Sequence, residues 1–300
     1  MPQVLSLIAD PQKSPLQKKQ VDAATSALAA MGAQLDSGNW LAGNQAWQVE
    51  IDTCPADALT QLRQMADSWP VDINIVPTIN MRKKLLVADM DSTMIEQECI
   101  DELAEAAGVG DAVRAVTKRA MNGELEFEDA LRERVAALEG LPASVIGEVI
   151  DTRITLMPGG AQLITTMRQQ GARCALISGG FAQFTAHVAA ELGFHEHQAN
   201  ELLIEDNRLT GKVGMPILGQ DAKVSALQRI AANLGISPLE ALTVGDGAND
   251  VPMLQAAGLG VAVHAKPVVK AQVPVQIDHA DLTALLFLQG ITRDEFASAP

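Results

Sequence analysis

Apolar and polar positions change rhythm twice along the chain. In the first 80 residues short alternating stretches trade places with helical spacing. Val4–Ala9 is strand-like, Ala46–Ile51 alternates like a half-buried strand, and Val71–Val76 is a short final strand. Lys18–Met31 and Ala56–Met65 carry apolar residues at helical spacing, and Gly32 stands where a helix would stop. With a weaker strand near Gln34–Trp40, the predicted order is βαββαβ, the ferredoxin-like arrangement. Pro70 and Pro77 punctuate its end, and Met81-Arg82-Lys83-Lys84 bridges into the rest of the chain.

From Leu85 the rhythm is different. Leu85-Leu86-Val87-Ala88 is continuously apolar, as in a strand covered on both faces of a parallel sheet. Residues 96–155 then predict helices only, over Ile100–Ala107, Ala112–Ala120, Ala130–Leu138 and Val145–Ile150. After Pro158-Gly159-Gly160 come helix 161–170, strand Cys174–Ile177, helix 182–192, a hairpin signal at Asp206-Asn207, helix 222–234, strand Leu242–Val244, helix 251–257 and strand Gly260–Val263. Strands alternating with helices predict an α/β fold with a parallel sheet covered on both faces. The helical stretch after the first strand is then an insertion, a cap or lid over about 96–155. The expected domains are 1–80, a small α+β unit, and 83–300.

Composition narrows the function. With 48% hydrophobic and 20% charged residues among 300, a sizeable core is assured. The formal net charge of −15 argues against nucleic-acid binding, which needs a basic footprint. Cys54, Cys99 and Cys174 are far apart and suggest neither a zinc site nor a disulfide framework. The N-terminus lacks the basic region of a secretory signal, and no apolar run nears the roughly 20 residues that span a bilayer. A cytoplasmic protein with no membrane partner is the expectation.

In open α/β sheets ligands bind beyond the carboxyl ends of the strands. The polar residues that follow the predicted strands are Asp89, Asp91 and Thr93; Ser178, Gly179 and Gly180; and Asp246, Asn249 and Asp250. Taken singly, each has an ordinary explanation. An Asp-x-Asp pair is usually a solvated turn, Ser-Gly-Gly a tight strand–helix turn, and Lys223 a surface lysine. Together they form a set with one chemical meaning. Two carboxylates facing a phosphate dianion repel it, by about 4 kcal/mol per unit-charge pair at 4 Å in a partly buried setting. A hard dication such as Mg²⁺, held by carboxylates, removes that repulsion. One carboxylate can then attack phosphorus while the other serves as acid and base. Spacing does not decide which is which. The Ser178 hydroxyl, the amides near Gly179 at a helix N-terminus, and the Lys223 ammonium can hold phosphate oxygens. Asp246 is the natural further metal ligand, and Asp250 can hold a water ligand or orient Lys223.

Asp89-Met90-Asp91-Ser92-Thr93, Ser178-Gly179-Gly180, Lys223 and Gly245-Asp246-Gly247-Ala248-Asn249-Asp250 resemble, in order, the four motifs of the haloacid dehalogenase superfamily. The resemblance covers roughly 83–290. It implies a Rossmann-like core, Mg²⁺ held by Asp89, Asp91 and Asp246, Asp89 as nucleophile of an aspartyl-phosphate intermediate, and Asp91 as acid/base. Within the superfamily the chain is similar to the phosphoserine phosphatase family. There Glu98 matches an acid for the substrate ammonium, Arg134 the carboxylate-binding arginine, and Met121 and Phe127 apolar lid residues. Ser178, Gly179, Lys223 and Asn249 complete the implied substrate-binding set, with Thr93, Gly180 and Asp250 in support. O-phosphoserine carries phosphate, ammonium and carboxylate, and an arginine grips a carboxylate bidentately where a lysine does not. The implied role is the last step of serine synthesis. The first 80 residues resemble, in fold and position only, the ACT-like domain that precedes the catalytic part in bacterial members. They imply amino-acid binding, homodimer formation or simple packing. Two alternatives stand beside this reading: phosphate release from, or phosphoryl transfer between, other small phosphomonoesters, and a non-catalytic sensor on the same scaffold. The intact acid set speaks against the sensor.

Overall fold

The computed structural model describes residues 2–121 and 124–298, except for the side chain of Met121. The chain opens with β1 (Gln3–Ile8), α1 (Lys18–Ala30), β2 (Gln34–Leu35), β3 (Asn39–Ala42), β4 (Ala46–Thr53), α2 (Ala58–Met65) and β5 (Asp72–Pro77). Then follow β6 (Leu85–Ala88), α3 (Cys99–Ala106), α4 (Gly110–Met121), α5 (Phe127–Ala136), α6 (Ser144–Arg153), α7 (Gly160–Gln169), β7 (Arg173–Phe181), α8 (Ala182–Leu192) and β8 (Glu196–Asn200). The hairpin β9 (Leu202–Glu205) and β10 (Arg208–Val213) precedes α9 (Gln220–Leu234), β11 (Ala241–Gly245), α10 (Val251–Ala256), β12 (Leu259–Val263), α11 (Pro267–Lys270), β13 (Val275–Ile277) and α12 (Ala284–Phe287). A six-stranded sheet has the order β13-β12-β11-β6-β7-β8, and its pairings β11–β12, β12–β13 and β7–β8 are parallel. All four residues of β6 are fully buried, as its unbroken apolar run requires.

By backbone contacts the chain divides into two compact units. The first comprises 1–86, 158–173 and 231–300. Its N-terminal part is an antiparallel sheet of order β2-β4-β1-β5, with β3 also on β4. The βαββαβ order holds, with the second strand split. Gly38, between β2 and β3, leaves the space that the Trp47 indole fills, and a Cβ there would strike the ring. Helix α1 stops as expected: Gly32 takes φ 89°, and the Ala33 N–H reaches back to the Leu28 carbonyl at 3.1 Å. One face of the sheet packs Leu5, Leu7, Val49 and Ile73 against Val21, Leu28 and Leu62 of the two helices. The other face is polar at its centre and is covered by the C-terminal segment. Gln48 donates to Ser6 Oγ at 2.9 Å and to the Phe287 carbonyl at 2.6 Å. Asn74 pairs with both main-chain groups of Gln276 in β13 at 2.8 and 2.9 Å. The buried Asp72 carboxylate accepts from the N–H groups of Asp278, His279 and Ala280 at 2.6, 3.1 and 2.9 Å.

The second unit comprises 87–157 and 174–230. It contains the helical insertion α3–α6, as the periodicity predicts. The entry and exit of the insertion are stitched together: Ile95 bridges Leu156, and the Met157 N–H donates to the Met94 carbonyl at 2.9 Å. The hairpin expected at Asp206-Asn207 is β9–β10, with both turn residues at positive φ, 49° and 58°. It packs on α5 and bonds to the 140–143 loop, so it extends the insertion. No described helix is long and apolar enough to cross a membrane.

Candidate active site

After β6 the chain winds around a single carbonyl. The N–H groups of Thr93, Met94 and Ile95 all point at Met90 O, at 3.2, 2.8 and 3.1 Å. To make this turn Ser92 takes a φ of 52°, unusual for a residue with a side chain. The turn buries Asp89 and Thr93 and leaves Asp91 half-buried. Asp91 is held at both oxygens: Oδ1 accepts from the Cys99 N–H at 2.8 Å and Oδ2 from the Ser178 hydroxyl at 3.1 Å. Burial, with Asp91 nearby, pushes the Cys99 thiol far above its ordinary range, so it stays neutral.

Ser178 lies inside β7, which runs on to Phe181. Its register against β8 slips between Ile177 and Phe181. Helix α8 begins at the next residue, Ala182, so Gly179 and Gly180 sit just before a helix N-terminus. The Gly180 N–H donates to Ser178 Oγ at 2.8 Å. A Cβ at Gly180 would stand 2.5 Å from Asp91 Oδ2, so no side chain fits without displacing that carboxylate.

Lys223, in the first turn of α9, is only 1% exposed. Its Nζ lies 2.7 Å from Asp89 Oδ1. A lysine buried this fully requires a charged partner, and Asp89 is that partner.

The helical insertion carries four further predicted residues, Glu98, Met121, Phe127 and Arg134. Phe127 starts α5, and its ring lies where a Cβ at Gly179 would stand 3.3 Å away. Arg134 is half-buried and donates from Nε to the Ala130 carbonyl at 3.2 Å. Burial lowers its pKa, while Asp101, Glu98 and Asp91 pull it back up. Glu98 is exposed and accepts from Ser92 Oγ at 2.8 Å. Asp101, which no motif marks, has its pKa raised by burial, with Arg134 the foremost opposing charge. Met121 closes α4, and its side chain lies outside the described part.

In the first unit, the turn after β11 wraps around Asp250. Its Oδ2 accepts from the Gly247 N–H at 3.0 Å, and a Cβ at Gly245 would stand 2.4 Å from its carboxyl carbon. Asp246 is 6% exposed and Asn249 half-buried. Lys266 Nζ approaches Asp246 Oδ2 to 3.8 Å, a cation that belongs to none of the four motifs.

Asp246 and Asp250 of the first unit and Asp89 of the second are all buried carboxylates. Buried carboxylates of this kind suit a hard divalent cation, which oxygen ligands bind. The Asp91 carboxylate is engaged by Ser178 and Cys99.

A family model of haloacid dehalogenase-like hydrolases matches residues 86–255. The chain belongs to that family. It is a hydrolase with a Rossmann-like α/β core, and members of this family of phosphatases use a metal ion. A phosphoserine phosphatase of Archaeoglobus fulgidus is 44% identical over 232 residues, 77% of this chain and 67% of that protein. A crystal structure of a probable phosphoserine phosphatase from Vibrio cholerae, unliganded, covers 98% of this chain and 88% of its own, with a TM-score of 0.78 and 30% identity. A phospho-aspartyl intermediate analogue of a phosphoserine phosphatase covers 69% of this chain and 98% of its own, with a TM-score of 0.64 and 39% identity. The aligned stretches span between 53% and 67% of the length of four curated relatives.

Two residues that shape the site carried no signal in the pattern of the chain. Ser92 lies within the first motif but contributes through a hydroxyl bonded to Glu98. Asn200, buried at 2%, bonds to Gly179 and Leu218 from a strand too polar to stand out.

Proposed function

We propose that the chain hydrolyses O-phosphoserine to serine and phosphate with Mg²⁺, through an aspartyl-phosphate on Asp89. The observation that carries the chemistry is the buried pair of Asp89 and Lys223 beside an Asp91 oriented from both oxygens. Substrate choice rests on Arg134 and Glu98, whose charges complement the carboxylate and ammonium of phosphoserine, and on the likeness to phosphoserine phosphatases.

In the first step a carboxylate oxygen of Asp89 attacks phosphorus, and the bond to the serine oxygen breaks. Asp91 delivers its proton to that leaving oxygen. In the second step Asp91 takes a proton from water, and the water oxygen attacks phosphorus. The bond to Asp89 breaks, freeing phosphate and restoring the carboxylate. Lys223 and the Ser178 hydroxyl, with the amides before α8, hold the charge on the phosphoryl oxygens. Asp89 and Asp246 would hold the divalent cation, with Asp250 in support, and that charge would offset the repulsion between carboxylates and phosphate. Asn249 follows β11 on the same turn and serves substrate binding. We place the enzyme in the cytoplasm, at the last step of serine synthesis, with residues 1–80 as an ACT-like domain and 96–155 as the cap of a catalytic domain over 83–300.

The test is phosphate release from a panel of small phosphomonoesters, with Mg²⁺ and with EDTA. Phosphoserine is expected to be turned over far faster than sugar phosphates, and EDTA to stop the reaction. Equal rates across the panel would overturn the substrate, and full activity in EDTA the metal.

A further inference from the structure

We infer that Asn200 is a positioning residue for phosphate binding: its buried side-chain amide sets the spacing between the Gly179 turn and the segment that launches Lys223. The inference rests on the phosphatase reading above, and names a residue through which that site is held.

Asn200 ends β8 and is paired in register with Phe181, just beyond the slip in the β7–β8 ladder. The slip takes the Gly179 stretch out of regular strand pairing, so its main chain needs other partners. Asn200 Nδ2 supplies one, donating to the Gly179 carbonyl at 2.8 Å. The same nitrogen donates to the Leu218 carbonyl at 3.2 Å, and Oδ1 accepts from the Leu218 N–H at 2.7 Å. Both donors of the amide and one acceptor position are therefore engaged by two irregular segments, and the residue is 2% exposed.

Each segment leads to a group that handles phosphate. Gly179 adjoins Ser178, whose hydroxyl bonds Asp91. Leu218 lies two residues before α9, whose first turn carries Lys223 to within 2.7 Å of Asp89. The Phe127 ring lies against both segments, at the Gly179 and Gly219 positions. One amide thus ties the hydroxyl side of the site to the ammonium side. A shift of about 1 Å between such groups is enough to cost on the order of 100-fold in rate.

The experiment uses p-nitrophenyl phosphate as substrate and inorganic phosphate and orthovanadate as inhibitors, so it does not depend on the substrate assigned above. In Asn200→Ala, kcat/KM is expected to fall at least 30-fold and both inhibitors to weaken about tenfold. Thr185→Ala, which removes a buried hydroxyl bonded to His197 Nδ1 on the same strand, is the control. It is expected to lower Tm while leaving kcat/KM and both inhibition constants within twofold of the parent. Where Asn200→Ala does not fold, Asn200→Asp fills the same space and keeps the acceptor for the Leu218 N–H, but sets a carboxylate oxygen against the Gly179 and Leu218 carbonyls in place of the two N–H donors. A folded Asn200 variant with kcat/KM and phosphate affinity within twofold of the parent would overturn the inference. A parent protein that neither hydrolyses p-nitrophenyl phosphate nor binds vanadate would instead overturn the phosphatase reading, and this inference with it.

Discussion

Adding one methyl group at Gly180 asks how closely Asp91 must be placed. The new Cβ would stand 2.5 Å from Asp91 Oδ2 and 3.1 Å from Ser178 Oγ, against an ordinary contact of 3.4 Å or more. Asp91 must therefore retreat by about 0.9 Å, and it cannot do so alone. Its Oδ1 is tied to the Cys99 N–H and its Oδ2 to Ser178, so the displacement strains both bonds. A misplacement of about 1 Å in a reacting group costs on the order of 100-fold, or about 2.7 kcal/mol of barrier. The fold should barely register it. Gly180 is not at positive φ, so alanine adopts the same backbone and gains about 0.4–1 kcal/mol through the unfolded chain. That gain offsets the roughly 1 kcal/mol of a weakened hydrogen bond. Gly180→Ala is thus expected to lose about 100-fold in kcat/KM with a nearly unchanged melting temperature. Gly147→Ala is the matched control. Gly147 lies within α6, and a methyl group there would meet nothing within 4 Å, so helix propensity alone should stabilise the variant by about 1 kcal/mol and leave activity intact. A Gly180→Ala enzyme with kcat/KM within twofold of the parent would refute the geometric argument, and with it the placement of Asp91 as the acid.

Three other substitutions separate nucleophile, specificity and scaffold. Asp89→Asn should abolish turnover and leave no phosphoenzyme to trap by acid quench; activity above a thousandth of the parent would sink the nucleophile assignment. Arg134→Ala should raise KM for phosphoserine at least tenfold and leave p-nitrophenyl phosphate within threefold, and an unchanged preference between the two would remove Arg134 from substrate recognition. Asp72→Ala strands the N–H groups of Asp278, His279 and Ala280 in a buried setting, so it should cost about 3 kcal/mol or more, read as a lower denaturation midpoint. A midpoint within error of the parent would mean that this carboxylate does not hold the N-terminal sheet to the C-terminal segment.

How much of this was legible beforehand depends on what each element needs from its neighbours. Strands with one or two buried faces announced themselves: β6 by its continuous apolar run, β1 by a mostly apolar run that only Ser6 breaks, and β4 by the alternation of Trp47, Val49 and Ile51 with Gln48 and Glu50. The edge strand β8 did not. Its sequence, Glu-His-Gln-Ala-Asn, buries only the last residue, because an outer strand needs little apolar surface. The weak strand predicted near Gln34–Trp40 is two pieces, β2 and β3, with Gly38 between them where the Trp47 ring leaves no room for a side chain. Beyond Val263 the short α11, β13 and α12 have no readable pattern. Elements of three or four residues offer too little length for either periodicity to be counted.

The site divides along a related line. Asp89, Ser178 and Asp246 could be found because strand ends collect ligands, so chain order alone put them in one set. Lys223 could be found only by its company, since nothing in Gln220-Asp221-Ala222-Lys223 says that its side chain is 1% exposed. Asn200 and Ser92 lay beyond reach, for a physical reason. Their work is done on main-chain groups and on other side chains, at separations of 18 and 21 residues for Asn200 and 6 for Ser92. A hydrogen bond to a carbonyl places no demand on the residue type it receives, so Gly179 and Leu218 carry no mark of the amide that holds them. Residues that touch substrate are constrained by chemistry and leave a pattern. Residues that place those groups are constrained by distance, which exists only once the chain has closed on itself.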